Sequence, residues 1–284
     1  MAEILSGKAV AEAMSGKIKA DVSALNDKGI TPTLAIIRVG ENESDISYER
    51  GAVKRCELLG IMYRRYLLNS NASEEEILGV IDEVNNDKDI HGVLLFRPLP
   101  KHVDSAKIEN ALDPAKDVDC MTESSLCSVF TGRDVGYPPC TPEACLAVLE
   151  HYNIPCEGKN VVVIGRSLVV GKPVSMMLLK KNATVTICHT KTKDIKNIAK
   201  KADIIIAACG CAGVIGADYV KEGQVVIDVG INVNDEGMLC GDVDYTAVEP
   251  IVSAITPVPG GVGSVTTSVL VGHVVEAAMR KVNA

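Results

Sequence analysis

Asn160 to Leu179 reads NVVVIGRSLVVGKPVSMMLL and passes from an unbroken apolar run to apolar residues at helical spacing. Val161-Val162-Val163-Ile164 has the pattern of a strand buried on both faces, which is characteristic of a parallel sheet. Gly165 ends the run, Gly171 follows, and Pro173 opens the helical segment. Proline is tolerated in a first helical turn because its missing N–H would have had no partner there. A strand, a glycine-containing turn and a helix N-terminus together present free backbone N–H groups to a pyrophosphate. The spacing here is G-x-x-x-x-x-G and not G-x-G-x-x-G, so the stretch alone is as compatible with plain strand-to-helix packing as with a nucleotide site.

Working outward, strand and helix alternate along the chain, as in a parallel α/β fold. Val10 to Leu25 has helical spacing and is closed by Gly29 and Pro32. Strands are expected at Thr33–Val39, Ile61–Leu68 and His91–Phe96. Helices are expected from Ser44 through Leu59 and from the acidic turn that begins at Ser73. Glycine and proline concentrate in GRDVGYPPCTP, Gly132 to Pro142, which reads as a hinge or domain boundary. Beyond it the pattern predicts a helix at Pro142–His151, strands near 160–164, 184–188, 203–207 and 225–229, and a last helix at Ser264–Val282.

Composition bounds the function. Aromatic residues make up 3% of 284 and Trp is absent, so the core is aliphatic. A net charge of −8 argues against nucleic-acid or anionic-membrane partners. No apolar run reaches the roughly 20 residues of a membrane span, and no secretory leader is evident, so a cytoplasmic location is expected. The ten cysteines are scattered, and only Cys209-Gly-Cys211 forms a tight pair, without a second pair at zinc-ligand spacing. No metal site is expected, and the thiols read as reduced. The five histidines form no triad or ligand pattern, and no G-x-S-x-G elbow is present.

The strand that ends at Cys188 runs into His189-Thr190-Lys191-Thr192-Lys193, with no acid before Asp194. An NAD site commonly places a carboxylate there for the adenosine ribose, whereas basic and hydroxyl groups suit a 2′-phosphate; a solvated basic loop is the competing reading. Thr256 to Gly263, TPVPGGVG, packs two prolines and three glycines into eight residues, the composition of a rigid loop that a ligand can approach closely. Asp119, in KDVD, reads by itself as a turn residue. Tyr48 reads as helix core.

Four motifs together, GRSLVVGKP, TPVPGGVG, PCTP at Pro139 to Pro142 and KDVD at Lys116 to Asp119, resemble the methylenetetrahydrofolate dehydrogenase/cyclohydrolase family over essentially the whole chain. The resemblance implies two α/β domains, each with a mainly parallel sheet and the second Rossmann-like. It places residues 1–140 plus 267–284 in a discontinuous folate-binding catalytic domain and 141–266 in an NADP-binding domain. It implies that Asp119 anchors the pterin, that Tyr48 stacks on the substrate, and that Pro259, Gly260 and Gly263 lie beside the folate ring and nicotinamide. Gly165, Arg166, Ser167, Thr190, Ile231 and Thr266 are the implied NADP contacts, Arg166 and Thr190 at the 2′-phosphate. The expected partners are tetrahydrofolate derivatives and a second copy of the chain in a homodimer.

One part of the family pattern is missing. The family's cyclohydrolase lysine stands four residues after the stacking tyrosine, where this chain has Ala52, and Lys54 matches a second, non-catalytic lysine. The family's supporting glutamine, from a Q-L-P-L-P turn, is here Phe96, in Phe96-Arg97-Pro98-Leu99-Pro100. Lys54 is therefore a doubtful substitute. The sequence predicts a dehydrogenase whose cyclohydrolase activity is absent or weak, against the alternatives of a fully bifunctional enzyme and of a folate- or NADP-binding protein without turnover.

Overall fold

A computed structural model describes residues 1–133, 135–234 and 236–282. In chain order the strands are β1 (Glu3–Ile4), β2 (Thr33–Val39), β3 (Met62–Leu68), β4 (Gly92–Leu95), β5 (Asn160–Ile164), β6 (Thr184–Cys188), β7 (Ile204–Ala207), β8 (Val225–Asp228), β9 (Asn232–Val233), β10 (Leu239–Cys240) and β11 (Ala254–Ile255). The helices are α1 (Gly7–Asn26), α2 (Glu43–Leu59), α3 (Glu74–Asn86), α4 (Ser105–Asn110), α5 (Glu123–Thr131), α6 (Cys140–His151), α7 (Gly171–Lys180), α8 (Ile195–Lys200), α9 (Tyr245–Val248) and α10 (Gly263–Val282).

The chain divides into two compact units. The first comprises Met1–Glu12 and Thr141–Thr266, the second Ala13–Cys140 and the chain from Thr267 on. The expected domain of residues 1–140 therefore loses its first twelve residues to the other unit. The cause is β1, which pairs parallel with β11 as the edge strand of that unit's sheet, a two-residue strand with no pattern to announce it.

The first unit is built on a six-stranded sheet in the order β1-β11-β8-β7-β5-β6, parallel at every pairing. Val162, Ile164, Ile205, Val226 and Ile255 from its strands share one aliphatic core with Ala199, Val248 and Val252. Because β6 lies on one side of β5 and β7 on the other, the chain reverses its direction of winding at β5. In open parallel sheets ligands bind outside the carboxyl ends of the strands at such a reversal. The turn after β5 is Gly165-Arg166-Ser167. Helix α7 starts at Gly171, two residues before the expected Pro173, which keeps the proline within the first turn.

The second unit has a three-stranded parallel sheet, β3-β2-β4, with its aliphatic core in Ala35, Ile37, Ile77, Ile81, Val84, Val93 and Leu95. Strand β4 is two residues shorter than expected, since Phe96 already leaves the ladder after donating its N–H to Ile37 O. Helix α2 is capped by Asn42, whose side chain accepts from Ser44 N, and stops at Gly60 in the left-handed region. Helix α3 opens with a reciprocal Ser73–Glu76 capping box. Within this unit α10 packs closely enough that a Cβ on Gly92 would meet Val274 at 3.0 Å.

Candidate active site

In the second unit, α2 carries Tyr48 and Ala52 one turn apart, which puts them on the same helix face. Ala52 is fully buried. The Phe96 ring meets Tyr48 edge-on, with centroids 5.9 Å apart. Lys54 is exposed, and two further residues carry it about 120° around the helix from Tyr48. Tyr48 and Ala52 thus share one helix face, the Phe96 ring packs on Tyr48, and Lys54 lies on another face.

Asp119 sits just beyond a parallel bridge between Val93 and Asp117, which places it beside the carboxyl end of β4. Asp117 is a structural residue: its carboxylate accepts from Met121 N at 2.9 Å and Thr122 N at 2.8 Å. Asp119 accepts a 3.3 Å bond from the Cys140 N–H. Burial pushes its carboxyl above the usual carboxylate range, against the opposing pull of Cys140 and the Arg97 charge. Burial likewise raises the Tyr48 hydroxyl well above its ordinary value, with Asp119 and Cys140 adding to it, so Tyr48 stays neutral and near Asp119. Arg97 pairs with Glu109 at 3.6 Å.

Two residues here escaped the sequence reading. The Val118 carbonyl accepts from His273 Nδ1 at 2.8 Å and from Cys140 Sγ at 3.4 Å, which fixes the backbone that presents Asp119. His273 comes from the far end of the chain, and no spacing rule could have joined it to KDVD.

In the first unit, Gly165 adopts φ +137°, and a Cβ there would lie 2.0 Å from the Ala208 carbonyl oxygen. A Cβ on Gly171 would lie 2.4 Å from Gly165 O. The turn is therefore closed backbone against backbone, a cradle that side chains would fill. Ser167 Oγ accepts from Val170 N at 3.1 Å, and Arg166 and Ser167 are exposed above the cradle. After β6, the Thr192 hydroxyl accepts from His189 N and the His189 ring from Lys191 N, so Thr190 is held exposed at the tip of an ordered turn. After β8, Ile231 is largely exposed, and its Cδ1 would lie 3.6 Å from a Cβ on Gly263.

The TPVPGGVG loop is pinned to the start of α1. Gly7 N donates to Gly260 O at 2.8 Å, and a Cβ on Gly7 would collide with Gly261 O at 1.9 Å. Pro259, Gly260 and Gly263 are exposed. Thr266 differs from the other candidates, being buried with its hydroxyl bonded back to Val262 O at 3.3 Å. Beneath these loops lies a carboxylate pair that the sequence reading missed. Asp228 accepts from Gly230, Asp242 and Val243 N–H groups, and its carboxyl is pushed up to about 6 by burial. Asp242 accepts from the N–H groups of Cys209, Gly210 and Cys211 and from Asn232 Nδ2. Among the described residues no cluster of His, Cys, Asp and Glu has metal-holding geometry.

Comparison with known proteins matches residues 5–119 to the tetrahydrofolate dehydrogenase/cyclohydrolase catalytic domain and residues 139–282 to the NAD(P)-binding domain of the same family. The chain belongs to the tetrahydrofolate dehydrogenase/cyclohydrolase family. It is 51% identical over 275 residues to the bifunctional protein FolD of Clostridioides difficile (strain 630), covering 97% of this chain and 96% of that one. Among solved structures it is similar to the bifunctional FolD of Campylobacter jejuni, with a TM-score of 0.96 and 40% identity over 99% of this chain and 100% of that one. It is also similar to Trypanosoma brucei methylenetetrahydrofolate dehydrogenase-cyclohydrolase, solved with NADP and an inhibitor, with a TM-score of 0.93 and 31% identity over 100% and 99% of the two chains. No helix among the described residues is long and apolar enough to cross a membrane.

Proposed function

We infer that this family member is an NADP-dependent methylenetetrahydrofolate dehydrogenase whose cyclohydrolase activity is absent or severely reduced. The observation that carries the second half is the fully buried Ala52 on the Tyr48 face, with the Phe96 ring edge-on to Tyr48. Neither alanine nor phenylalanine takes or gives a proton, so the wall holds no base. Lys54, exposed on another face, does not replace one.

In this reading Asp119 accepts hydrogen bonds from the 2-amino-pyrimidinone edge of the pterin, and Tyr48 stacks on the substrate. The apolar Ala52–Phe96 wall keeps water from the one-carbon bridge, which protects a methenyl product from hydrolysis. Pro259, Gly260 and Gly263 offer a flat, rigid backbone to the ligand. Gly165, Arg166, Ser167, Thr190 and Ile231 hold the cofactor, Arg166 and Thr190 at its 2′-phosphate; the buried Thr266 supports the loop from below. When bound, NADP supplies the hydride acceptor, and the chain's own part is alignment. A homodimer belongs to the same proposal, and light scattering on a sizing column tests it.

The test of the cofactor assignment is turnover with NADP and then with NAD. Methenyl product should form preferentially with NADP, whereas binding without turnover would make the chain a sensor. Arg166→Ala should weaken NADP by about 10- to 150-fold, the worth of one charge-assisted bond to phosphate, and should barely touch NAD. Equal losses for both cofactors would remove Arg166 from the 2′-phosphate.

A further inference from the structure

The tight cysteine pair stands at the same sheet edge and has no part in the reading above. After β7 the chain runs Ala208-Cys209-Gly210-Cys211, and all three N–H groups of residues 209–211 converge on the Asp242 carboxylate, at 2.6, 3.0 and 2.9 Å. That convergence bends the backbone so that Cys211 Sγ lies 3.7 Å from the carbonyl oxygen of Cys209. Both thiols are free; Cys211 is exposed and Cys209 half-buried. Gly210 has φ +68°, and nothing lies within 4 Å of a Cβ built on it, so the residue between the two cysteines is not packed against the rest of the unit.

We propose that Cys209-Gly210-Cys211 is a thiol-modification site, which a low-molecular-weight disulfide closes into an intraloop disulfide that weakens NADP binding. The order of events follows from the surroundings. Burial, then the Asp242 charge, pushes the Cys209 thiol up to about 12, so exposed Cys211 reacts first. Its thiolate attacks one sulfur of R–S–S–R, that bond breaks, and the departing thiolate takes up a proton as RSH. Cys209 then gives its proton to solvent and attacks Cys211 Sγ, expelling the second RSH. Two protein thiols are oxidised to one disulfide, and R–S–S–R is reduced to two RSH. A ring with one intervening residue is strained, which makes the bond readily reducible and so reversible.

The coupling to the cofactor rests on the function proposed above and runs through two contacts. Asp242 also accepts from Asn232 Nδ2 at 2.9 Å, the neighbour of Ile231. The Ala208 carbonyl closes the Gly165 cradle. Drawing the two sulfurs together pulls the 209–211 N–H groups off Asp242 and so disturbs both ends of the cofactor edge.

The experiment treats the full-length protein with oxidised glutathione, blocks the remaining thiols, and maps the 209–211 peptide by mass spectrometry. The expected result is loss of two hydrogens in that peptide, an NADP Kd raised by about tenfold, and recovery with dithiothreitol; by reciprocity NADP should disfavour closure by the same factor. Cys211→Ser should abolish the disulfide, and Cys209→Ser should instead retain one glutathione on Cys211. Glutathione persisting on wild-type Cys211, no bond in the peptide, or a bond that leaves the NADP Kd unchanged would each overturn the proposal. The peptide mass reads the chemistry without NADP, so a reduced enzyme that fails to bind NADP would overturn the cofactor reading separately.

Discussion

Replacing Asp119 by Asn is expected to lower kcat/KM for the folate substrate by about 100-fold, near 3 kcal/mol, while leaving the Kd for NADP unchanged. A carboxylate offers two acceptors to the two donors of a 2-amino-pyrimidinone edge. Asn keeps one acceptor and turns an N–H₂ donor toward a donor, so one charge-assisted bond is lost and one buried group is left unpaired. The bond from Cys140 N needs only one oxygen, which Asn still provides, so the fold is not the expected casualty.

The same residue gives a pH signature. Burial raises the Asp119 carboxyl, and in the role proposed for it the ionised form is the one that would accept from the pterin. Folate kcat/KM should therefore fall with acid at a pH above the ordinary carboxylate range, and that limb should vanish in Asp119→Asn. Unfolding at this group is not the cause. A carboxyl raised in the folded state gives stability that is fully present below its unfolded pKa and lost as pH rises through the folded one. Acid thus favours the fold here while it removes binding. Unchanged folate kinetics in the variant would return Asp119 to the role of a turn residue.

Gly165→Ala is expected to be the most damaging single-methyl change in the nucleotide-binding unit. The added carbon would lie 2.0 Å from Ala208 O, and φ is +137°, so backbone must move on both sides. Strain and overpacking together are worth about 4 kcal/mol, or roughly 10 °C in Tm for a chain of this size. NADP binding should be lost with it. Gly29→Ala separates the two causes: its φ is +75°, but nothing lies within 4 Å of the added carbon, so it bears strain alone. Equal thermal shifts for the two variants, with NADP binding intact, would show that the cradle is not closed as described.

The parts of this molecule that were legible in the sequence are those in which local pattern and tertiary position agree. Val161 to Ile164 is a continuous apolar run because β5 is covered on both faces, and Ser73 announces α3 because a capping box is a local device. Legibility ends where a role depends on a distant partner. Strand β1 is two residues long and exists because β11 lies beside it. Asp242 looks like any acidic loop residue until three N–H groups from residues 209–211 are seen to converge on it. Thr266, given as a cofactor contact by the family resemblance alone, bonds back to the carbonyl four residues earlier as helical threonines readily do, and no local pattern announces that it is buried. The Ala52 and Phe96 substitutions were readable as changes of residue type. That Phe96 turns its ring onto Tyr48 was not, because β4 had to end at Leu95 for it to do so.

One measurement bears on the central claim most directly. The enzyme is given 5,10-methylenetetrahydrofolate and NADP, and the absorbances of NADPH and of 5,10-methenyltetrahydrofolate are followed together. The account predicts that the two rise in step, and that once NADP is exhausted the methenyl signal decays no faster than it does without enzyme. NADPH rising while methenyltetrahydrofolate is drained at a comparable enzyme-dependent rate would contradict the claim, and would mean that the wall of Tyr48, Ala52 and Phe96 hydrolyses the product it was proposed to protect.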